Sequence, residues 1–235
     1  MRRVKSGAIQ LQADDLILSD FDATISLIDT GLAMISALSP ADAAQAWKDE
    51  HAWRRGEISS MECLRRQWRL FAHTPTEVWA FVDALALDEG FFELLALVRA
   101  RGAGIAVVSD GLDFYLDRMF AARGVATCGE DACVRSRDHL LRFSNAAAVT
   151  PEGIQITFPY RNECGQCGNC KVAHLFRLRP GFARVIYIGD GHSDLCAARY
   201  ADLIFAKHAL AEDCRRAGRR FLPFETFADV LTVIQ

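Results

Sequence analysis

The chain has 235 residues, 51% of them hydrophobic, with 27 basic and 30 acidic side chains and a net charge of −3. That length suits one large domain or a domain with an insert, and the composition supplies a sizeable core. The charge balance argues against nucleic acid or an anionic membrane surface as a general partner.

The first residues are basic, but Gln10, Gln12, Asp14 and Asp15 interrupt what would be the apolar part of a signal peptide. No apolar run is long enough to span a bilayer. A cytoplasmic protein is expected, with its eight cysteines as thiols or ligands rather than disulfides. Residues 16–19 read as a buried strand that ends at Asp20-Phe21-Asp22-Ala23-Thr24. Residues 27–87 are expected to be helical, with breaks or helix starts at Ser39-Pro40 and Thr74-Pro75-Thr76. An amphipathic helix follows over 91–101, which Gly102 can terminate. Residues 104–108 form a second buried strand, ending at Ser109-Asp110-Gly111. A helix over 112–123 closes at Gly124, and 125–128 make a short third strand. Residues 139–144 and 153–158 alternate in part and flank Thr150-Pro151-Glu152-Gly153, which predicts a β-hairpin. Helix is expected over 171–179, strand over 184–188 ending at Gly189-Asp190-Gly191, helix over 193–201 and a short strand over 203–206. Two helices close the chain, and the basic run at 215–220 reads as a solvated helix end.

Strands alternating with helices predict an α/β fold, Rossmann-like, with a mostly parallel sheet covered on both faces. Ligands of such sheets bind beyond the carboxyl ends of the strands, where each polar cluster falls. Asp20 and Asp22 are two residues apart, so in extended chain they point to one side, and a cation would relieve their repulsion. Asp20 and Asp190 on neighbouring strand ends suit Mg²⁺, which takes carboxylate, carbonyl and water oxygens. Ser109, the backbone amides of Asp110 and Gly111, and Lys171 suit the non-bridging oxygens of a phosphate. A metal-bound carboxylate can act as nucleophile, and a second one nearby can protonate the leaving oxygen and later activate water. These residue types point to phosphoryl transfer on a small phosphorylated metabolite.

Asp20-Phe21-Asp22-Ala23-Thr24, Ser109, Lys171 and Gly189-Asp190-Gly191-His192-Ser193-Asp194 resemble, in order, the four motifs of the haloacid dehalogenase-like hydrolase superfamily. The likeness is closest to its phosphoserine-phosphatase-like branch. Within that branch, Cys164-Gly165-Gln166-Cys167-Gly168-Asn169-Cys170-Lys171, Phe205-Ala206-Lys207 and Leu222-Pro223-Phe224 resemble the 2-hydroxy-3-keto-5-methylthiopentenyl-1-phosphate phosphatases of methionine salvage. The resemblance implies a hydrolase core over residues 1–27 and 91–235, with a small helical cap over 28–90 inserted after the first strand. It implies Mg²⁺-dependent hydrolysis of a phosphomonoester through an aspartyl-phosphate. Asp20 would be nucleophile and metal ligand, and Asp22 general acid/base with its backbone carbonyl on the metal. Ser109 and Lys171 would bind phosphate and Asp190 would bind Mg²⁺. Asp194, beside Ser193, would orient a metal-bound water or Lys171, and Thr24 would support the loop. Ala23 stands where glycine is frequent in the superfamily; a small side chain fits there if φ is negative. Phosphotransfer to a second sugar is an alternative on the same fold. Carbon–halogen hydrolysis is disfavoured, because the halide-cleaving relatives use neither Mg²⁺ nor an acid/base at Asp22.

Two features stand outside these motifs. Cys164, Cys167 and Cys170 have metal-ligand spacing, but zinc needs a fourth ligand, for which Cys128, Cys133 and His174 are candidates. Packed thiols or a reversible disulfide are the other readings, and a cysteine-based metal-binding regulatory module is the alternative to an enzyme. Cys63, Cys196 and Cys214 fall in helical patterns and are expected in the core. The helical segment carries Trp47, Trp53, Trp68, Phe71, Trp79 and Phe81, an aromatic stripe expected to be mainly core. If the cap closes over the site, Asp29, Arg54, Arg55 and Arg65 are its polar candidates for substrate contact. His192 is expected to be a solvated loop residue.

Overall fold

The computed structural model describes residues 8–38, 40–70, 73–150 and 153–235. The central strand is β1 (Asp15–Ser19), all five of whose residues are buried. It pairs in parallel with β2 (Gly104–Leu112) on one side and β6 (Arg184–Gly189) on the other. Beyond β2 lie β4 (His139–Thr150) and β3 (Ala126–Cys128); beyond β6 lie β7 (Leu203–Ala206) and the two-residue β8 (Leu222–Pro223). The order is β3-β4-β2-β1-β6-β7-β8, and every pair along it is parallel.

Continuous apolar runs form these strands because both sheet faces are covered. Ile17, Val107 and Ile188 face one layer, made by α5 (Glu89–Arg101), α6 (Asp113–Ala121) and α10 (Phe227–Val233). Leu16, Leu18, Val108 and Tyr187 face the other, made by α7 (Lys171–Leu178), α8 (Leu195–Ala198) and α9 (His208–Arg216). Alternation within each strand splits the core into two apolar clusters. Gly102 ends α5 with φ 68°, the left-handed conformation a helix C-terminus favours. The run at 215–220 is exposed, as its composition suggested.

Between β1 and α5 the chain forms α1 (Thr30–Leu38), α2 (Pro40–Arg54), α3 (Ser60–Arg69) and α4 (Pro75–Asp83). Thr74 and Glu77 make a reciprocal cap on α4, with Pro75 in its first turn. The entering and leaving segments run side by side: Ser26 pairs with Leu87, and the Leu27 amide donates to the Ala86 carbonyl at 3.2 Å. Ser39 and Phe71 lie outside the described residues.

Three expectations are corrected. The second strand does not stop at Val108 but runs to Leu112, with a register shift against β4 between Val108 and Leu112. The Ser-Asp-Gly segment reads as a turn because polar residues break the apolar run; the strand is irregular there, and pairing with β4 resumes at Leu112, opposite Asn145. The hairpin is present with β5 (Gly153–Thr157), but its first arm is Ala146–Thr150. The 139–144 stretch expected as that arm belongs to the part of β4 that pairs in parallel with β3 and β2 instead. Pro151 and Glu152 of the expected turn lie outside the described residues. The helix expected over 193–201 is a 3₁₀ turn, His192–Asp194, followed by the short α8.

Candidate active site

The parallel register brings the ends of β1, β2 and β6 to one edge of the sheet. The Asp20 amide donates to the Ile188 carbonyl at 2.9 Å, which ties the end of β1 to β6. Lys171, the first residue of α7, is buried, and its Nζ lies 2.8 Å from Asp20 Oδ1 and 2.5 Å from Asp194 Oδ1. It also donates to Ser193 Oγ at 3.1 Å. Asp194 Oδ1 further accepts from the Tyr187 hydroxyl at 2.7 Å. Its Oδ2 accepts from the amides of Asp190 and Gly191 at 3.1 and 2.9 Å. Thr24 Oγ1 donates to Asp190 Oδ1 at 3.2 Å, and His208 Nδ1 lies 3.4 Å from Asp190 Oδ2. Asp22 is held apart from this cluster: its Oδ1 accepts from the Thr30 amide and its Oδ2 from the Tyr115 hydroxyl, both at 2.9 Å. Gly111 packs against that pair so closely that an added Cβ would collide with Tyr115 Oη and Asp22 Oδ2.

Carboxylates of Asp20, Asp190 and Asp194 offer oxygens within 4.8 Å of one another, facing one lysine. Burial first, then the charge of Asp194, pushes Asp20 well above the ordinary carboxylate range, against the pull of Lys171. Asp190 is raised for the same two leading reasons. Burial also raises Asp22, partly opposed by its bonds to Thr30 and Tyr115. Burial would lower Lys171, but Asp194 and Asp20 outweigh it and hold the ammonium well above the usual lysine value. An all-oxygen cluster with surplus negative charge fits a hard divalent cation. Both Asp194 oxygens are already committed to four donors, so Asp20 and Asp190 are the carboxylates free to ligate one.

Ser109 is fully buried, and its Oγ accepts from the Gly111 amide at 2.9 Å. The loop is fastened from behind by residues the motifs did not single out. Asn145 Nδ2 donates to the Asp110 carbonyl at 2.6 Å. Asn169 Nδ2 donates to the carbonyls of Ser109 and Phe143 at 2.7 and 2.9 Å, and its amide donates to Asp110 Oδ1 at 2.7 Å. Asn169 Oδ1 is therefore an acceptor, so His174 Nε2, 2.6 Å away, carries the proton. His174 stacks on Phe143 with ring centroids 4.0 Å apart, and its Nδ1 is buried without a hydrogen-bond partner. Burial pushes this imidazole down to about 3. The unfolded chain then binds the extra proton between about pH 6.5 and 3, so stability falls as pH drops through that window. His174→Gln, which keeps a donor near the Nε2 position, is expected to flatten the pH dependence of the urea midpoint between pH 6.5 and 4 relative to wild type.

Ala23 has φ 52°, so the condition under which alanine fits without strain is not met. Its amide is held by the Ile28 carbonyl at 3.0 Å and by Ser26 Oγ at 3.2 Å, which keeps the turn in the left-handed region. Such a conformation costs a non-glycine residue roughly 1–2 kcal/mol. Ala23→Gly is expected to stabilise the protein by about 1 kcal/mol, read as a raised urea midpoint at unchanged slope.

A cavity of about 440 Å³ opens from this cluster between the sheet edge and α1–α3. Asp20, Asp22, Ser109, Asp110, Gly111, Lys171, Asp190 and Ser193 line its floor, and Asp29 and Arg54 its walls. Asp29 is open to the cavity but surrounded by protein; burial, then the Asp22 charge, pushes its carboxyl up to about 7. Arg54 Nε donates to Glu50 Oε1 at 2.8 Å. Arg65 is not among the lining residues and lies over the Phe158 ring, 5.0 Å from its centroid. Arg55 pairs with Glu57 on the surface. The aromatic stripe divides: Trp79 and Phe81 pack against the core, Trp47 and Trp53 line the cavity, and Trp68 is buried in the core while also bordering the cavity. Glu50, Gln67 and Tyr115 also line it; they lie in the helical pattern, with no motif to distinguish them. His192 is not a free loop histidine, since its Nδ1 lies 2.7 Å from Asp213 Oδ2 at the cavity edge.

The cysteines depart from expectation in three ways. Cys128 and Cys133 form a disulfide, so neither serves as a thiolate ligand. His174 is engaged with Asn169 and is not a fourth ligand to the cysteine run. Cys63 and Cys214 are buried as expected, but Cys196 is exposed, because α8 is short and turns that residue outward. Cys196 lines a second, smaller pocket together with Cys164, Cys167 and Cys170.

Among the described residues, no helix is long and apolar enough to cross a membrane. A model of the haloacid dehalogenase-like hydrolase family matches residues 17–199. A 2-hydroxy-3-keto-5-methylthiopentenyl-1-phosphate phosphatase from Geobacillus kaustophilus is 30% identical over 226 residues, covering 94% of this chain and 95% of its own. One of the same name from Bacillus velezensis is 29% identical over 230 residues, covering 94% and 89%. Among solved structures, a haloacid dehalogenase family hydrolase from Salmonella enterica serovar Typhi aligns with TM-score 0.72 at 21% identity, over 96% of this chain and 72% of that one. A phosphoserine phosphatase in the form of a phospho-aspartyl intermediate analogue aligns with TM-score 0.69 at 19% identity, over 94% and 98%. The sheet order, the carboxylates at its edge and the extent of these matches agree: the chain belongs to the haloacid dehalogenase-like hydrolase family.

Proposed function

We propose that this chain hydrolyses a small phosphomonoester through an aspartyl-phosphate on Asp20, with Mg²⁺ as cofactor. The observation that carries the reading is Lys171 and Asp20 at the floor of the cavity, ion-paired with each other and with the buried Asp194 behind them, with Asp190 beside them and Asp22 held separately. Lys171 and Ser109, with the amides of Asp110 and Gly111, hold the non-bridging oxygens and place phosphorus against Asp20. The Asp20 carboxylate attacks phosphorus as the bond to the leaving oxygen breaks. Asp22, whose raised affinity for a proton suits it to the task, protonates that oxygen. It then takes a proton from water, whose oxygen attacks phosphorus and releases phosphate and the free Asp20. Asp20 and Asp190, joined by the backbone carbonyl of Asp22, would hold Mg²⁺, which when bound neutralises charge on the transferring group.

The helices α1–α4 serve as the cap that keeps water from the site. Trp47, Trp53 and Trp68 supply an apolar wall, and Asp29, Glu50, Arg54 and Gln67 a few polar contacts. That mixture suits a short leaving group with an apolar tail and several hydroxyl or carbonyl groups. The substrate named for the relatives, 2-hydroxy-3-keto-5-methylthiopentenyl-1-phosphate, has this character and is the first compound to assay. The test is a phosphate-release screen over phosphorylated metabolites with Mg²⁺ and with EDTA. Release that requires Mg²⁺ and is fastest with that compound or a close analogue is expected. No release from any phosphomonoester by the Mg²⁺-loaded protein would refute the reading.

A further inference from the structure

The second pocket, about 190 Å³, is lined by Cys164, Cys167 and Cys170 from the loop before α7 and by Cys196 from α8. Lys171 and Ser193 belong to its wall and to that of the main cavity. We infer that this pocket is a structural site for one Zn²⁺, held by the thiolates of these four cysteines.

The donor set is the first argument. Four sulfurs with no water position left open match the closed tetrahedral site of a structural zinc, and soft donors select it over Mg²⁺. The run Cys164-x-x-Cys167-x-x-Cys170 supplies three ligands, and only the fold supplies the fourth, 26 residues after Cys170. The surroundings are the second argument. Asn162 touches two of the sulfurs: Cys164 Sγ–H donates to its Oδ1 at 2.8 Å, and its Nδ2 donates to Cys170 Sγ at 3.0 Å. An amide donor to sulfur is the kind of partner that orients a thiolate on a metal. Arg199 in the pocket wall offsets part of the net double negative charge of a four-thiolate zinc centre. Binding releases the thiol protons to solvent and leaves no redox change.

Among the described residues, the cluster of Asp20, Asp190 and Asp194 is the one whose ligand atoms already lie within 4.8 Å of each other. The four thiols line one pocket more loosely, so the ion draws them together and orders the loop as it binds. The loop is a consequential one. Cys170 directly precedes Lys171, and Cys196 follows Asp194 by two residues, so zinc would join the backbone segments that carry this ion pair. The same loop meets the helical segment: the Ser60 amide donates to the Gln166 carbonyl at 2.9 Å, and the Gly168 amide to Ser60 Oγ at 3.0 Å. Zinc would thus brace both the lysine and the seat of α3.

The site is read by metal content and spectrum, whether or not the protein hydrolyses phosphate. Full-length protein expressed with added zinc should retain one Zn²⁺ per chain after gel filtration. Zinc-free protein titrated with Co²⁺ should develop the sulfur-to-cobalt charge-transfer band and the intense visible bands of a tetrahedral thiolate site; Co²⁺ on carboxylates alone lacks the first. Cys167→Ser and Cys196→Ser should each weaken zinc binding by roughly 100-fold or more, in line with the loss of a direct ligand. Absence of the charge-transfer band in reduced wild-type protein would overturn the proposal even if the variants fail to fold. So would a Cys196→Ser protein that binds zinc as tightly as wild type, or thiols recovered as disulfides in zinc-free protein that takes up no Co²⁺ after reduction.

Discussion

Asp20→Asn is expected to lower phosphate release by roughly 10⁴-fold or more, because an amide cannot form the acyl phosphate. The fold should survive. Asp20 is 5% exposed and faces Asp194 and Asp190, so its charge is unwelcome in the metal-free protein even with Lys171 at 2.8 Å. The native state holds the Asp20 proton more tightly than the unfolded chain does. Its stability therefore declines as pH rises from the ordinary carboxylate value of about 3.9 towards the raised native value. Asn at this position removes that loss and leaves Lys171 its bond to Asp194. The metal-free variant should be at least as stable as wild type at pH 7, with a flatter stability profile at acid pH. Added Mg²⁺ should raise the melting temperature of wild type more than that of the variant, since one ligating carboxylate is gone. Activity within tenfold of wild type would remove Asp20 from the role of nucleophile.

Lys171→Met should damage both fold and activity. The ammonium is buried between Asp20 and Asp194 and keeps its proton well above the usual lysine range. A raised lysine contributes stability that is fully present below the unfolded value of about 10.4 and is lost only as pH rises past it. At pH 7 the whole contribution is at stake. Removing one partner of a buried ion pair typically costs about 3–5 kcal/mol, because the other charge is left without compensation. Here two carboxylates are stranded, so a loss of that order is expected from urea unfolding at pH 7, shrinking at pH 5 as Asp20, whose affinity for a proton is raised by burial, becomes neutral. In protein that remains folded, KM for the phosphomonoester should rise and kcat should fall, since this charge faces the phosphate both before and during transfer. A variant with wild-type stability and an unchanged KM would contradict both parts.

The carboxylates were legible early for a local reason. Asp20, Ser109 and Asp190 each follow or end an apolar run, and a parallel sheet brings strand ends together whatever lies between them. Lys171 was legible through its place after the cysteine run and its order among the motifs. Ala23 shows the limit of that reasoning. Its side chain is small enough, but φ 52° is imposed by the Ile28 carbonyl and Ser26 hydroxyl, contacts that a residue's own identity does not reveal. The roles of Asn169, quoted only within the cysteine run, and of His174, expected only as a candidate zinc ligand, were hidden for a similar reason. Their work is done through the backbone of Ser109, 60 residues away from Asn169, and no spacing rule joins them. The aromatic stripe could not be divided because tryptophan packs equally well into a core or a cavity wall.

What the amino-acid order determined by itself is most of the strands and helices, though not the reach of β2, the arms of the hairpin or β8, together with the two-sided burial of the sheet and the four clusters that must meet at its carboxyl edge. These follow from hydrophobic period and from chain direction, which are local properties. Only the tertiary structure decided which helical residues face the cavity, that Cys128 and Cys133 pair with each other, and that Cys196 leaves the core to join the 164–170 thiols. Each of these depends on how separate elements are turned towards one another, and that orientation is set by packing across the whole molecule rather than by neighbours in the chain.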